Sequence, residues 1–338
     1  MLNVGVIGVG RIGKLHIENS VYIPEMNVVA ISDVNIDALH GWAKEKGINK
    51  VTNNYHDILQ DDNIQAICIC SPTNTHATLI KEAALAGKHI FCEKPISFIE
   101  KETKEALEVV EKSGVKLQVG FNRRFDHNYK RVRDLIMSGE LGEPHILKIT
   151  SRDPEPPNAN YIQTSGGMFM DMTIHDFDMA RFVMNSEVTE VYVQGANLID
   201  PIFSEYEDID TAIITLTFAN GAIGVIDNSR KAAYGYDQRI ELFAEKGCIS
   251  TENDCPSTVR ISTANGVMQD KPLHFFLERY KEAYITEIQL FVHSILNDEV
   301  VICSGNDGLQ AERIAHAAKE SLRLKQPVKI NHPLLLKK

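Results

Sequence analysis

Positive charge is scarce in this sequence. Its 338 residues carry 35 Lys and Arg against 46 Asp and Glu, which leaves a formal net charge of -11. Proteins that bind nucleic acids or anionic membrane surfaces usually present a basic patch or stripe. The composition therefore argues against both kinds of partner.

Long apolar runs and paired cysteines are also missing. No unbroken apolar run approaches the roughly 18 residues that can span a membrane as a helix. The first residues lead directly into strand-like sequence rather than into a signal peptide. The six cysteines are scattered without the C-x-x-C spacing of metal sites. We therefore expect a cytoplasmic protein with reduced thiols and no disulfide framework.

The overall composition is typical of globular proteins, and the chain is too long for a single hydrophobic core. Hydrophobic residues make up 43% and charged residues 24% of the sequence, which excludes disordered, collagen-like and coiled-coil proteins. A single core usually stops growing at about 250–300 residues. Because the pattern of elements changes after Phe121, we predict one domain over residues 1–121 and a second over residues 122–338.

The first of these domains alternates short apolar runs with amphipathic helical segments. Each run is almost entirely apolar, which is typical of strands buried on both faces of a parallel sheet. We therefore predict an α/β fold with a doubly wound, Rossmann-type parallel sheet. The predicted strands are Asn3–Ile7, Asn27–Ser32, Ala66–Cys70, His89–Cys92 and Lys116–Val119.

The second domain has longer, alternating strands followed by two helical segments, and we predict an α+β fold for it. Asn220-Gly221, between Thr211–Phe218 and Ala222–Asp227, is a strong hairpin signal. One face of Thr211–Phe218 is apolar. The other face, with Ile213 among three threonines, is too apolar to lie open to water, so we expect a partner subunit to cover it. The alternative is a threonine-rich surface exposed to solvent.

A glycine-rich segment after the first strand predicts a dinucleotide site. Gly8-Val9-Gly10-Arg11-Ile12-Gly13 has the G-x-G-x-x-G pattern, and Asp33 follows 20 residues after Gly13 (33 − 13) at the end of the second strand. Gly8 would permit the turn, Gly10 would let the backbone approach the pyrophosphate, and Gly13 would allow close packing of helix and strand.

The acidic residue at the end of the second strand predicts which dinucleotide binds. Asp33 would accept hydrogen bonds from the adenosine ribose, and no arginine follows it to bind a 2′-phosphate. We therefore predict NAD rather than NADP as the cofactor. The alternative is that the glycines only close a turn and that Asp33 caps a helix.

Two further segments, Ser71–His76 and Glu93–Pro95, each directly follow a predicted strand. They would lie at the carboxyl edge of the sheet, where doubly wound folds bind ligands. Lys94 is also a candidate catalytic residue, and Pro95 fixes the backbone that presents it. The alternatives are helix capping by Thr73 or Asn74, a surface position for His76, and a solvated amine at Lys94. The cofactor contacts expected in addition to the three glycines and Asp33 are Arg11, Ile12, Ser71, Thr73, Asn74, His76, Glu93 and Lys94.

Asp171 and His175 form the candidate acid–base pair of the second domain. They are four residues apart on a predicted helix, so both side chains would project from one face. A carboxylate beside an imidazole orients the ring and stabilises its protonated form. The alternatives are an ordinary helical contact and a metal site formed by Asp171, His175 and Asp178. No further His/Cys cluster supports a metal, and none is predicted.

Together, the glycine pattern, Glu93-Lys94-Pro95 and Asp171-x-x-x-His175 resemble the glucose–fructose oxidoreductase / inositol dehydrogenase / rhizopine-catabolism (Gfo/Idh/MocA) family over essentially the whole chain. The resemblance is greatest to its inositol 2-dehydrogenase branch. It implies a large, mainly antiparallel open sheet in the second domain, a homotetramer built through those sheets, and Lys94, Asp171 and His175 as the catalytic set. The substrate contacts that it implies are Lys94, Arg124, Asn158, Asp171, His175 and Tyr236.

The resemblance implies the NAD-dependent oxidation of a secondary ring hydroxyl of a polyol or sugar, with myo-inositol to 2-keto-inositol as the specific expectation. A dehydrogenase for another inositol isomer or for an aldose would share the same motifs. A non-catalytic, NAD-sensing regulator is an alternative of a different class, but such a protein need not keep Lys94 or the Asp171–His175 pair.

Overall fold

A computed structural model describes residues 1–330, which form two compact units. The first unit contains Met1–Phe125 and Glu282–Gln310, and the second contains Asp126–Lys281 and the described residues from Ala311 onward. The predicted division assigned everything after residue 121 to the second domain. The structure instead groups Glu282–Gln310 with the first unit.

Core packing explains this grouping. Phe291 lies in the same buried apolar cluster as Val6 and Phe91, and the ring centroids of Phe91 and Phe291 are 6.0 Å apart. The late segment therefore completes the core of a unit whose sheet is formed by the beginning of the chain.

Six parallel strands form the sheet of the first unit: β1 Leu2–Ile7, β2 Met26–Ser32, β3 Lys50–Thr52, β4 Ala66–Ile69, β5 His89–Cys92 and β6 Leu117–Val119. Their spatial order is β3-β2-β1-β4-β5-β6, so the predicted doubly wound sheet is confirmed. The sequence does not predict β3, because its three residues, Lys-Val-Thr, contain no apolar run. The helices of this unit are α1 Arg11–Asn19, α2 His40–Glu45, α3 His56–Leu59, α4 Thr73–Leu85, α5 Glu100–Ser113 and α12 Lys281–Leu296.

A seven-stranded sheet is the frame of the second unit. Its strands are β7 Pro144–Arg152, β8 Val188–Ala196, β9 Thr211–Phe218, β10 Ile223–Ser229, β11 Asp237–Ala244, β12 Gly247–Ser250 and β15 Val328–Lys329. They lie in the order β12-β11-β7-β10-β9-β8-β15. Among these described strands only β7 and β10 run parallel, so the expected mainly antiparallel sheet is confirmed. A separate hairpin consists of β13 Arg260–Thr263 and β14 Gly266–Gln269.

The helices of the second unit are α6 His127–Met137, α7 Ala159–Thr164, α8 Met168–Asp171, α9 Thr173–Met184, α10 Ile202–Glu205, α11 Phe276–Arg279 and α13 Gly305–Leu324, which begins in the first unit. Within residues 1–330, no helix has both the length and the apolar character needed to cross a membrane.

The predicted hairpin is formed by β9 and β10, with Thr217 opposite Ile223. The predicted core face of β9 is confirmed, because its four apolar residues (Ala212, Ile214, Leu216 and Phe218) are at most 2% exposed. On the opposite face Ile213 is 45% exposed, Ile223 53%, and Phe243 of β11 48%. The strand registers put these three residues on the same side, which also carries the ion pair of Lys148 with Glu241. The outer face of the sheet therefore presents exposed apolar side chains among charged ones.

Candidate active site

The glycine loop between β1 and α1 contains two glycines that the fold requires and one that it does not. A Cβ at Gly8, whose φ is +89°, would lie 2.4 Å from the backbone nitrogen of Ser71, and a Cβ at Gly13 would lie 2.1 Å from the carbonyl oxygen of Gly8. A Cβ at Gly10 would meet no atom within 4 Å. Gly10 therefore leaves open space directly before the first residue of α1.

This open space suits an anionic group. Gly10 is exposed and precedes α1 in an extended conformation, without a side chain capping the helix. The first amide groups of a helix are unsatisfied and carry partial positive charge, so they bind phosphates well. Arg11 is exposed and Ile12 half-buried at the start of this helix. The loop therefore fits the pyrophosphate of a dinucleotide.

Asp33 directly follows β2, and its carboxylate joins the glycine loop to the turn after β2. One carboxylate oxygen accepts a hydrogen bond from the backbone N–H of Val9 (2.7 Å), and the other accepts one from Asn35 (2.8 Å). A carboxylate offers about four acceptor positions, so Asp33 keeps capacity for ribose hydroxyls. The short 3₁₀ helix that follows, Ile36–Ala38, begins after Asn35 and has no side-chain cap.

His76 lies in the first turn of α4 and is 1% exposed, so the surface position considered as an alternative is wrong. Its Nδ1 lies 2.8 Å from the carbonyl oxygen of Pro95, and its Nε2 lies 2.7 Å from that of Ser71. Burial lowers the pKa of His76, although both carbonyl contacts oppose this. A neutral imidazole can donate to only one of these carbonyls at a time, and in either tautomer His76 lies between the loops after β4 and β5.

The other residues at the start of α4 leave the helix end uncapped by side chains. Pro72 occupies the N-cap position and provides no side-chain hydrogen bond, so capping by Thr73 or Asn74 is not observed. The hydroxyl of Ser71 instead contacts that of Thr75 at 2.6 Å. Thr73 is half-buried and Asn74 is exposed.

Glu93 and Lys94 directly follow β5. The Glu93 carboxylate lies 2.8 Å from Nε2 of His16, a buried residue of α1. Lys94 is half-buried and joined to Pro95 by a cis peptide bond. The segment is thus held on one side by the bond from Glu93 to His16 and on the other by the contact of Pro95 with His76.

Glu287 of α12 is a residue near this segment that sequence reasoning missed. It is fully buried, and neither carboxylate oxygen has a hydrogen-bond partner among residues 1–330. Burial, and secondly the charge of Glu93, raise the pKa of Glu287 well above its ordinary value. Burial without a hydrogen-bond partner thus favours the protonated, neutral form of Glu287. No local pattern points to this role, because the acid comes from a helix far along the chain.

The predicted single helix through Asp171 and His175 is wrong. Asp171 is the last residue of α8, His175 lies in the first turn of α9, and Met172 separates the two helices. The backbone N–H of His175 bonds to the carbonyl of Met172 at 3.2 Å rather than to that of Asp171. The helix is interrupted directly after the acidic residue, so the two residues lie on two successive helices rather than on one.

The carboxylate of Asp171 is engaged on both oxygens. Tyr161 donates its hydroxyl hydrogen to Oδ1 (2.7 Å), and Nη1 of Arg230 lies 3.0 Å from Oδ2. Neither partner was predicted, although Tyr161 stands close to the predicted residue Asn158. Gly167, before α8, has a φ of +82°, and a Cβ there would lie 2.9 Å from the Asp208 carboxylate.

Two groups of potential metal ligands occur among the described residues: His16, Glu93 and Glu287, and Asp126, His127 and Asp254. In the first group the 2.8 Å spacing of His16 and Glu93 is that of a hydrogen bond. In the second, Arg279 already forms an ion pair with Asp254 at 3.1 Å. Asp171, His175 and Asp178, the metal set considered as an alternative, belong to neither group.

The remaining predicted substrate residues contact parts of their own units. The buried Arg124 donates to the carbonyl of Ile302 and pairs with Asp307 at 3.0 Å. Asn158 is exposed, and its side chain accepts the N–H of Tyr161, which caps α7. Tyr236 is 6% exposed and packs edge-to-face against Tyr280. Lys94 and Arg124 belong to the first unit, and the other predicted catalytic and substrate residues belong to the second.

Comparison with known protein families gives matches in both units. Residues 2–121 match an oxidoreductase family with an NAD-binding Rossmann fold, and residues 129–250 match the GFO/IDH/MocA C-terminal domain. The predicted NAD-binding domain is thereby confirmed.

Similar proteins include named dehydrogenases. The chain is 59% identical to an uncharacterized oxidoreductase of Bacillus subtilis, YrbE, over 97% of this chain and 96% of that protein. It is 45% identical to the myo-inositol 2-dehydrogenase of Thermotoga maritima over 97% of this chain and 98% of that protein. A solved structure of scyllo-inositol dehydrogenase from Lactobacillus casei, with bound NAD(H) and scyllo-inositol, matches with a TM-score of 0.91 at 30% identity, covering 97% of this chain and 99% of that one.

Proposed function

The chain belongs to the GFO/IDH/MocA family of oxidoreductases, and from that premise we propose that it oxidises a secondary ring hydroxyl of a cyclic polyol with NAD, converting myo-inositol to 2-keto-inositol. The observation that carries the substrate is the full-length similarity to a myo-inositol 2-dehydrogenase. Lys94, Asp171 and His175 are all present, which supports an enzyme over a sensor that has only kept the fold.

NAD would be held by the first unit. The open position at Gly10 and the N-terminus of α1 suit its pyrophosphate, and Asp33 would accept hydrogen bonds from the ribose. When bound, NAD supplies the nicotinamide carbon that accepts the hydride. The other residues proposed to contact it are Gly8, Arg11, Ile12, Gly13, Ser71, Thr73, Asn74, His76, Glu93 and Lys94.

The chain's own side chains would handle the proton of the alcohol. His175 accepts the hydroxyl proton as the carbinol carbon loses its hydride, and the Lys94 ammonium stabilises the developing alkoxide. Asp171 orients His175 or a neighbouring substrate hydroxyl. General acid–base help of this kind is worth about 100- to 10,000-fold in rate.

The decisive experiment measures NADH formation with a panel of myo-inositol, scyllo-inositol, other inositols and glucose. We expect turnover with an inositol, and we expect His175→Ala and Lys94→Ala to lower kcat about 100-fold or more while NADH still binds. His274→Ala and Lys112→Ala, at exposed positions, are the matched controls. NAD binding without product from any member of the panel would refute the enzyme and favour the sensor.

The isomer and the residues that select it are part of the same proposal. We propose myo-inositol as the substrate, with Arg124, Asn158 and Tyr236 as further contacts. A relative that acts on scyllo-inositol shares the fold at 30% identity, and this favours the other isomer as the second candidate. The ratio of kcat/KM for the two isomers distinguishes them.

The assembly we propose is a homotetramer formed through the outer face of the second unit's sheet. The support is that Ile213, Ile223 and Phe243 are each about half exposed on that face, which is unfavourable in water. We also propose that the protein works in the cytoplasm, because all six cysteines are free thiols and three of them are buried.

A further inference from the structure

The candidate catalytic carboxylate is held by two residues from separate parts of the second unit. Tyr161 comes from α7 and Arg230 directly follows β10. Each contacts a different oxygen of Asp171, at 2.7 Å and 3.0 Å. The side chain of Asp171 is only 10% exposed, so these partners rather than water set its orientation.

Arg230 also compensates an excess of negative charge. Its side chain is 3% exposed, and its Nη1 lies 3.2 Å from Asp153 as well as 3.0 Å from Asp171. Burial alone would lower the pKa of Arg230, but the charges of Asp171, Asp153 and Asp208 raise it overall. One cation thus faces three carboxylates. Without it, Asp171 would be a poorly solvated carboxylate beside two like charges, which favours protonation.

We propose that Tyr161 and Arg230 are positioning residues that keep Asp171 ionised and fixed in one orientation for the dehydrogenase reaction. The inference rests on the proposed function, because it assigns Asp171 a role in that reaction. A carboxylate offers about four acceptor positions in all, more than the contacts of Tyr161 and Arg230 use. Asp171 can therefore accept a hydrogen bond from His175 or from a substrate hydroxyl, while His175 remains the base. The ionisable groups that the structure places at Asp171 or at Arg230 are Tyr161, Asp153 and Asp208, and His175 follows four residues later.

Tyr161→Phe is the main test, because it removes one hydroxyl from a side chain that is 45% exposed and leaves the fold intact. We expect kcat/KM to fall about tenfold, since a hydrogen bond to a charged group is lost at a partly exposed site. The acid limb of the pH profile should move to higher pH, because the carboxylate protonates more readily. NADH binding should not change. Tyr206→Phe, at a tyrosine that is 37% exposed, is the matched control.

A double-mutant cycle shows whether Tyr161 acts through Asp171. In an Asp171→Asn background, Tyr161→Phe should cost no further activity, because the charge that the hydroxyl stabilises is gone. An equal loss in both backgrounds, or a loss of kcat/KM that is the same at every pH, would mean that Tyr161 contacts the substrate directly and would overturn the proposal. An unchanged kcat/KM and pH profile in Tyr161→Phe would overturn it as well.

A measurement without substrate separates this inference from the proposed function. If Tyr161 stabilises ionised Asp171, wild type should have a higher Tm than Tyr161→Phe near neutral pH, and the difference should vanish in acid, where the carboxylate protonates. The difference should be absent between Asp171→Asn and the double variant. If the polyol panel gives no product while this pattern holds, the function fails and the positioning stands. A Tm difference that is independent of pH would refute the positioning. Arg230→Gln, if it folds, should shift the acid limb further than Tyr161→Phe.

Discussion

Replacing Gly10 with alanine should separate cofactor binding from folding. The added Cβ meets no heavy atom within 4 Å in the free protein, and the backbone φ of −73° suits alanine. Because alanine restricts the unfolded chain more than glycine does, we expect the stability to be unchanged or raised by about 0.4–1 kcal/mol. The same Cβ would occupy the space in which a pyrophosphate meets the first amides of α1. Losing one charge-assisted hydrogen bond there corresponds to about 10- to 150-fold weaker binding.

Gly13→Ala provides the contrasting variant. Its Cβ would lie 2.1 Å from the carbonyl oxygen of Gly8, which is inside van der Waals contact, so the loop or α1 must move. Overpacking of this kind typically costs about 1–3 kcal/mol. We therefore expect Gly13→Ala to lose stability even without cofactor, and Gly10→Ala to lose only cofactor affinity.

The assay combines NADH fluorescence titration with thermal unfolding in the presence and absence of NAD. Gly41→Ala is the matched control, since a Cβ at this residue of α2 also meets nothing within 4 Å and it lies outside the glycine loop. It should keep full NADH affinity. If Gly10→Ala bound NADH as tightly as wild type, the pyrophosphate would not lie over Gly10. If it unfolded as readily as Gly13→Ala, the geometry of the loop would be wrong.

Three further outcomes are expected. Asp33→Ser should weaken NAD binding about 10- to 100-fold, because ribose hydrogen bonds to a carboxylate are lost, and it should weaken NADP binding less. Calorimetric titration measures both affinities, and Asp37→Ser, at an exposed position, is the control. An unchanged preference for NAD over NADP would refute the role of Asp33. Glu287→Gln should make the stability of the fold less dependent on pH. Because the pKa of Glu287 is raised in the folded state, the folded protein holds a proton that the unfolded chain releases. Wild type should therefore lose stability as the pH rises above the ordinary glutamate range. Tm measured against pH should show that slope in wild type and in the exposed-residue control Glu282→Gln but not in Glu287→Gln, and identical slopes would contradict it. Ile213→Lys should lower the molar mass measured by light scattering, since it places a charge in the proposed interface. Leu198→Lys, at a residue that is 74% exposed, should leave the molar mass unchanged. A monomeric wild type would rule out the proposed assembly.

The cofactor-binding half of the fold could be predicted because its signals are local. Each buried parallel strand is a short apolar run, and the glycine pattern and Asp33 stand at fixed distances along the chain. β3 escaped prediction because a three-residue edge strand needs no apolar run. The assignment of Glu282–Gln310 to the first unit could not be predicted for a different reason. Phe291 reads as an ordinary apolar helix residue, and only packing shows that it shares a core with Val6.

For the candidate active site, the sequence predicted which residues take part but not how they are arranged in space. Spacing alone placed Asp171 and His175 on one helix, but the chain breaks that helix at Met172. Two partners of Asp171, Tyr161 and Arg230, were not predicted, because they come from another helix and from the end of a strand. Such contacts follow no sequence period, because they depend on where separate elements meet.

The sequence by itself therefore determined the class of the fold, the dinucleotide loop and the family, since these depend on patterns that a contiguous segment must satisfy wherever it lies. The tertiary structure decided how the ionisable groups are held: His16 contacts Glu93, Glu287 is buried with a raised pKa, and Arg230 pairs with Asp171 and Asp153. Their protonation depends on burial and on the nearest opposite charge, and both are properties of the packed chain.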